Sequence, residues 1–192
     1  MQEEQVLLAQ VAAGDEEALH QLYRTYRPRL RRYLWHHLDG DLAAVEEALQ
    51  DVFLAVWRSA DGYRAEARVS TWVYQIAHHV AVSAWRRLAR QPETHRLDAA
   101  EERDLADEPA TTYEAFDSIV LDQMALEEAL DSLSSKHREV LTLVFQYGFA
   151  LQEAAQILDV PIGTVKSRIN YARKSLMRAL ETALAQEVRH DA

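Results

Sequence analysis

The stretch Ile157-Leu-Asp-Val-Pro-Ile-Gly-Thr-Val-Lys-Ser-Arg-Ile-Asn-Tyr-Ala-Arg-Lys-Ser-Leu176 leaves few folds open to this chain. Just upstream, Leu151, Ala154, Ala155 and Leu158 recur at i, i+3, i+4 and i+7, the apolar stripe of a short helix. Downstream, Val165, Ile169, Ala172 and Leu176 make a second stripe. Asp159, Pro161 and Gly163 punctuate the join, and Pro161 suits the first turn of the second helix. Two helices about so tight a join read as a helix-turn-helix. Opposite the second stripe run two polar rows, Lys166/Asn170/Arg173 and Ser167/Tyr171/Lys174. A helix that buries one side and offers Lys, Ser, Asn, Tyr and Arg on the other fits the major groove of DNA. The competing reading is a basic surface helix of an all-α domain.

A net charge of −10 sits oddly with DNA binding until it is divided along the chain. Residues 1–90 carry 12 acidic and 11 basic side chains, residues 91–131 carry 13 and 2, and residues 132–192 carry 6 and 8. The deficit therefore belongs to the middle segment, and the overall charge says little about either end. That segment holds Pro92, Pro109, Thr111 and Thr112 among its acids, with no sustained apolar period over 91–117, and reads as a flexible acidic linker. Glu101, Glu102, Asp104, Asp107 and Glu108 lie within reach of the recognition helix. They either compete with phosphate for it or merely keep the tether solvated.

Amphipathic helices fill the first zone, 1–90, with breaks near Gly14, Gly40 and Gly62. Asp15 is expected to N-cap a helix carrying Leu19, Leu22, Tyr23 and Tyr26. Pro28 either kinks that helix or opens a new one through Leu38. A third helix is expected from about Asp41 to Ser59 and a fourth from about Ser70 to Arg90. Apolar periods resume at Leu126/Ala129/Leu130/Leu133 and Val140/Leu143/Val144/Tyr147, ahead of the helix-turn-helix, and the tail 186–192 is expected to fray. No strand-like alternation or internal repeat is evident. The fold expected is all-α: two small helical domains, 1–90 and 118–185, on an acidic tether.

Other classes are argued against by composition. With 48% hydrophobic residues, only 5 Gly and 4 Pro, the chain has ample core material. No apolar run is long enough for a membrane span, and the N-terminus, with Glu3 and Glu4, has no basic signal-peptide region. Cysteine is absent, so thiolate zinc sites and disulfides are excluded. A cytoplasmic location is the expectation, with no direct membrane insertion.

Two faces of the first zone carry chemistry. On the third helix Val45, Leu49, Val52 and Val56 form the buried stripe, leaving Glu47, Gln50, Asp51, Leu54 and Arg58 outside. Phe53 and Trp57 fit either side, with the core favoured for Trp57. On the fourth helix Val73, Ile76, Ala77, Val80 and Ala84 are expected inside. Trp72, Tyr74, His78, His79 and Trp85 interleave with Arg64, Arg68, Arg86, Arg87 and Arg90. Aromatics among arginines suit single-stranded DNA, where rings stack on unpaired bases and cations follow the backbone. The alternative is that Trp72 and Trp85 complete the core.

Three segments in this order resemble bacterial RNA polymerase sigma factors of the extracytoplasmic-function type, within the sigma-70 family. Glu47-Ala-Leu-Gln-Asp-Val-Phe-Leu-Ala-Val-Trp57 resembles the region 2 helix that docks on the polymerase clamp. Ser70-Thr-Trp-Val-Tyr-Gln-Ile-Ala77, with Arg86-Arg87, resembles the part that opens and binds the −10 element. Val160-Pro-Ile-Gly-Thr-Val-Lys-Ser-Arg-Ile169 and Ala172-Arg-Lys174 resemble the region 4 signature that reads the −35 element. The resemblance implies polymerase contacts at Glu47, Gln50, Asp51, Phe53 and Leu54. It implies −10 contacts at Arg64, Trp72, Tyr74, His78, His79, Arg86 and Arg87. It implies −35 contacts at Thr164, Lys166, Ser167, Arg168, Asn170, Tyr171, Arg173 and Lys174. Core RNA polymerase, promoter DNA and an anti-sigma factor are the implied partners, the last able to hold the factor at the inner membrane.

The chain departs from that pattern at a few positions. His78 and His79 stand where the family commonly has Arg and Asn, Tyr171 where it has Arg, and Asp159 at a turn position often held by Gly. Two rivals remain. A helix-turn-helix regulator without sigma activity explains residues 130–180 alone. An enzyme or metal sensor built on His36-His37 and His78-His79 meets the objection that adjacent histidines on a helix point about 100° apart. No catalytic or phosphate-binding motif accompanies them, so neither catalysis, a metal nor a cofactor is expected.

Overall fold

The computed structural model describes residues 2–90 and 133–190, with side chains described for 3–90 and 133–178. The expected linker 91–117, the segment 118–132 and the last two residues lie outside the described residues. All regular structure among the described residues is helical. They fall into two compact units, one holding residues 2–90 with 156–159 and the other residues 133–155 with 160–190.

In the first unit α1 is Gln2–Ala12, α2 Glu16–His37, α3 Leu42–Ser59 and α4 Val69–Leu88, with a short 3₁₀ turn at Ala60–Gly62. Aspartates start two of these helices. Asp15 Oδ1 accepts from the Glu17 and Ala18 amides at 2.9 and 3.1 Å, and Asp41 Oδ1 from Ala43 and Ala44 at 3.0 and 3.1 Å. Each cap satisfies donors that the first helical turn leaves open. At the other ends, Gly14 and Gly40 adopt left-handed φ of 89° and 75°. After Gly14, Asp15 N donates back to Gln10 O at 3.0 Å; after Asp39, itself left-handed at φ 50°, Gly40 N donates back to Trp35 O at 3.1 Å. Pro28 resolves as neither break nor new start: α2 runs through it unbroken. Pro28 itself is exposed, and the buried Tyr26 and Leu30 on either side of it hold the helix where one backbone bond is missing.

The long helix α2 packs on each of the other three. Leu22, Tyr26, Leu30, Tyr33 and Leu34 of α2 are buried together with Leu8 and Val11 of α1, Val45, Leu49, Val52 and Val56 of α3, and Val73, Ala77, Ala81 and Ala84 of α4. Tyr26 donates to Glu4 Oε1 at 2.7 Å, tying α1 to α2. Burial, and then the carboxylate beside it, push this phenol well above the ordinary tyrosine range. The inward face of α4 is rotated from the expected one: Tyr74 and Ala81 are buried, whereas Ile76 and Val80 are half-buried. Apolar residues occupy two adjacent rows of this helix, so periodicity alone does not choose. Tyr74 is drawn inward by its edge-on contact with Tyr33, ring centroids 5.5 Å apart.

Among residues 133–190, α5 is Ser135–Leu141, α6 Leu151–Leu158 and α7 Ile162–His190. The expected stripe through Tyr147 does not continue as plain α-helix. Residues 142–146 form a wider turn closed by Tyr147 N to Thr142 O at 3.0 Å, which leaves Val144 and Tyr147 half-buried. Gly148 then takes φ 74° and ends the turn. Between α6 and α7, Asp159 sits at φ 51° and Val160 N donates to Ala155 O at 3.1 Å, so aspartate fills the left-handed helix-end position. Helical backbone continues through His190, past the fraying expected from 186. Residues 179–187, Ala-Leu-Glu-Thr-Ala-Leu-Ala-Gln-Glu, contain no Gly or Pro and are mostly strong helix formers.

Candidate nucleic-acid and partner interfaces

The outer side of α3 follows from its inner side. With Val45, Ala48, Leu49, Val52 and Val56 buried, Glu47, Gln50, Asp51, Leu54 and Arg58 are left exposed. Leu54 keeps 44% of its surface in water, an apolar knob among polar neighbours. Phe53, expected on this face, is only 7% exposed. Its ring packs against Tyr23 of α2 at 4.8 Å, because the buried stripe of α3 is wide enough to take it in. Trp57 is half-buried. Beside the exposed face lies a shallow groove of about 300 Å³ lined by Glu16, Leu19, His20, Tyr23 and Phe53. The α2 contribution was not anticipated, although His20 and Tyr23 at i, i+3 mark one face of that helix.

On α4 the aromatic residues separate into two sets. Tyr74 is 2% exposed and belongs to the core, so it is removed from direct contact with DNA. His78 is half-buried and shares a hydrogen bond of 3.3 Å with the Tyr33 hydroxyl. His37 Nδ1 lies 2.8 Å from the Tyr33 carbonyl oxygen, so one histidine from each adjacent pair gathers at the same tyrosine. Exposed are His79, Arg86, Arg87 and Trp85, the last at 40%. Trp72 is half-buried, edge-on to Tyr63 at 5.5 Å, while the Tyr63 hydroxyl donates to Ala67 O at 2.6 Å. Tyr63 thus buttresses Trp72 from the loop that also exposes Arg64, a role its isolated position in the sequence did not signal. Arg87 pairs with Glu47 of α3 at 3.1 Å, joining a residue expected to face DNA to one expected to face the polymerase. Both side chains are about half exposed, so the pair contributes at most about 1 kcal/mol.

On α7, Val165, Ile169, Ala172 and Leu176 are buried. Lys166, Ser167, Tyr171 and Lys174 are exposed, and Thr164, Arg168, Asn170 and Arg173 are half-buried along the margins. Residues 162–178 hold five basic side chains and no acidic one, so every formal charge on this stretch of α7 is positive. The Ser167 hydroxyl donates to Thr164 O at 3.0 Å. Tyr171 is 51% exposed, and one face of its ring stacks on His137 of α5, centroids 4.4 Å apart and planes within 22°. His137 was not singled out in the sequence, where it lies 34 positions from Tyr171 and outside every motif.

Residues 22–91 match the family description Sigma-70 region 2, and residues 129–178 match Sigma-70, region 4. The chain is similar to the ECF RNA polymerase sigma factor SigM of Mycobacterium tuberculosis, 32% identical over 174 residues, covering 91% of this chain and 83% of that protein. It is also similar to the ECF RNA polymerase sigma factor SigW of Bacillus subtilis, 26% identical over 186 residues, covering 90% and 94%. Among solved structures, the sigma factor RpoE in complex with the anti-sigma factor NepR from Bartonella quintana aligns with a TM-score of 0.59 at 25% identity, covering 84% of this chain and 96% of that one.

Proposed function

The chain belongs to the extracytoplasmic-function sigma factors of the sigma-70 family, and on that premise we propose how its surfaces divide the work of starting transcription. It is a non-enzymatic initiation factor that binds core RNA polymerase and directs it to promoters through their −35 and −10 elements. The observation that carries this is the presence of both family regions in one chain, region 2 before region 4. A helix-turn-helix regulator without sigma activity accounts for the second region and leaves the first without a role.

We assign core binding and −10 opening to residues 1–90, −35 reading to 118–185, and the tether to 91–117. Core binding is assigned to Glu47, Gln50, Asp51 and Leu54, with Phe53 supporting them from beneath. A leucine knob ringed by polar groups has the apolar centre and polar rim of a protein interface, which supports that reading. For the −10 strand the assignment is Trp72, His79, Arg64, Arg86 and Arg87, with Tyr74 and His78 holding the helix from behind. For the −35 duplex, Lys166, Arg168, Arg173 and Lys174 anchor phosphates while Thr164, Ser167, Asn170 and Tyr171 face base edges. The Bartonella complex supports an anti-sigma partner for this chain too. No helix among the described residues is long and apolar enough to cross a membrane. Action in the cytoplasm, where polymerase and promoters meet, and retention at the inner membrane through the anti-sigma partner, belong to the same proposal. Run-off transcription with purified core polymerase across a genomic promoter library tests it. New start sites that depend on the added protein are expected, and failure to bind core would overturn it.

A further inference from the structure

The contact between His137 and Tyr171 joins the first helix of the second unit to the exposed face of its recognition helix. Ser134 stands at the N-cap of α5, where a serine oxygen ordinarily accepts from the backbone amides of the first turn. Here its side chain makes no such bond and instead shares a 2.8 Å hydrogen bond with Nδ1 of His137. That bond fixes the imidazole plane. The plane in turn lies nearly parallel to the Tyr171 ring at 4.4 Å. One face of the tyrosine is thereby backed, while half of its surface stays open to solvent between Ser167 and Lys174.

We propose that His137 is a positioning residue for −35 specificity: it presets the Tyr171 ring so that the recognition helix discriminates bases through a rigid rather than a mobile aromatic. The inference rests on the assignment of Tyr171 to the −35 duplex. A ring held in its bound orientation loses less freedom on docking, and ordering one such side chain otherwise weakens binding on the order of two- to tenfold. The effect is selective, because a tyrosine free to swing accommodates several bases whereas a fixed ring favours the one whose edge or methyl group it meets. Lys166 and Lys174, which face phosphates, are untouched by it.

The test assembles full-length variants on core polymerase and measures promoter selection from a library with a randomised −35 and a fixed −10 element. Y171A is expected to flatten the preference at one or two −35 positions. H137A should flatten the same positions, about two- to tenfold, and the double variant should be no flatter than Y171A alone. H137F, which keeps a stacking ring but loses the Ser134 bond, should recover the preference only in part, to about the level of S134A. S134A, at an exposed position, should give a partial loss at those same positions, and it carries the test should H137A fold poorly. An H137A or S134A profile like the wild type, a uniform loss at all −35 sequences, or effects that add to Y171A would each overturn the proposal. An unchanged profile in Y171A would instead overturn the −35 role of Tyr171 on which it rests.

Discussion

Replacing Trp72 by alanine separates the cost of a lost packing contact from the cost of a lost base stack. Full truncation of a buried Trp costs roughly 3–5 kcal/mol. Trp72 is half-buried, its contact being the edge-on Tyr63, so about half of that range, 1.5–2.5 kcal/mol, is the structural penalty. A domain with a stability of about 5–15 kcal/mol stays folded after such a loss. Stacking an unpaired base on an aromatic contributes about 1–3 kcal/mol, which is about 5- to 150-fold in the opening equilibrium. The expected phenotype is a folded protein that binds core, forms the closed complex at close to wild-type level and opens the −10 region poorly. Thermal melting, core titration and permanganate footprinting on one promoter measure the three quantities. Trp72→Phe, which keeps a stacking ring, should recover most of the opening. Normal permanganate reactivity in Trp72→Ala would refute the stacking role, and a defect in core binding of equal size would show that the loss is structural.

Three further substitutions test the remaining assignments. Asp51→Arg should leave stability within about 0.5 kcal/mol, the residue being exposed, while lowering core affinity roughly tenfold or more; unchanged affinity of the folded variant removes Asp51 from the interface. Lys166→Ala should weaken all −35 duplexes alike and reduce the salt slope by about one, whereas Asn170→Ala should change which sequence is preferred; the reverse pattern would exchange their roles. Tyr26 is kept protonated in the folded chain, while the unfolded chain releases that proton above about pH 10, so alkaline conditions favour unfolding by about 1.4 kcal/mol per pH unit for this residue. Tyr26→Phe should cost about 1 kcal/mol at neutral pH through the lost bond to Glu4 and should flatten the alkaline decline; parallel declines in urea titrations from pH 9 to 11 would contradict this.

Local chemistry made the helix boundaries legible in the sequence. Asp15 and Asp41 cap α2 and α3 where a short polar side chain before an apolar stripe predicts a start, and Gly14 and Gly40 end helices by left-handed turns that other residues rarely adopt. Pro28 is ambiguous in the sequence because the outcome depends on the burial of Tyr26 and Leu30 beside it, which local reading does not contain. The same limit governs α4. Its apolar residues cover two rows, and the choice of the row with Tyr74 depends on Tyr33, 41 positions earlier in the chain. Phe53 turned inward for an equivalent reason, the ring of Tyr23 on another helix.

The aromatic residues divide accordingly into those whose partner lies elsewhere in the core and those backed by a neighbour at the surface. Tyr74 and Phe53 are rings that a tertiary partner takes out of the interface. Trp72 and Tyr171, the rings proposed to meet DNA, stay partly exposed: Tyr63 lies edge-on to the first and His137 stacks on the second. Sequence motifs pick out the presented ring, since it recurs at a helical spacing beside basic residues. They pass over its support, which lies on another segment with no periodicity of its own. A supporting residue is nevertheless the cheaper place to alter specificity, because changing it retunes the presented ring without removing the ring or the phosphate contacts around it. On that argument, substitutions at Tyr63 and His137 should change which promoters are used, and those at Lys166 and Lys174 how tightly all promoters are held.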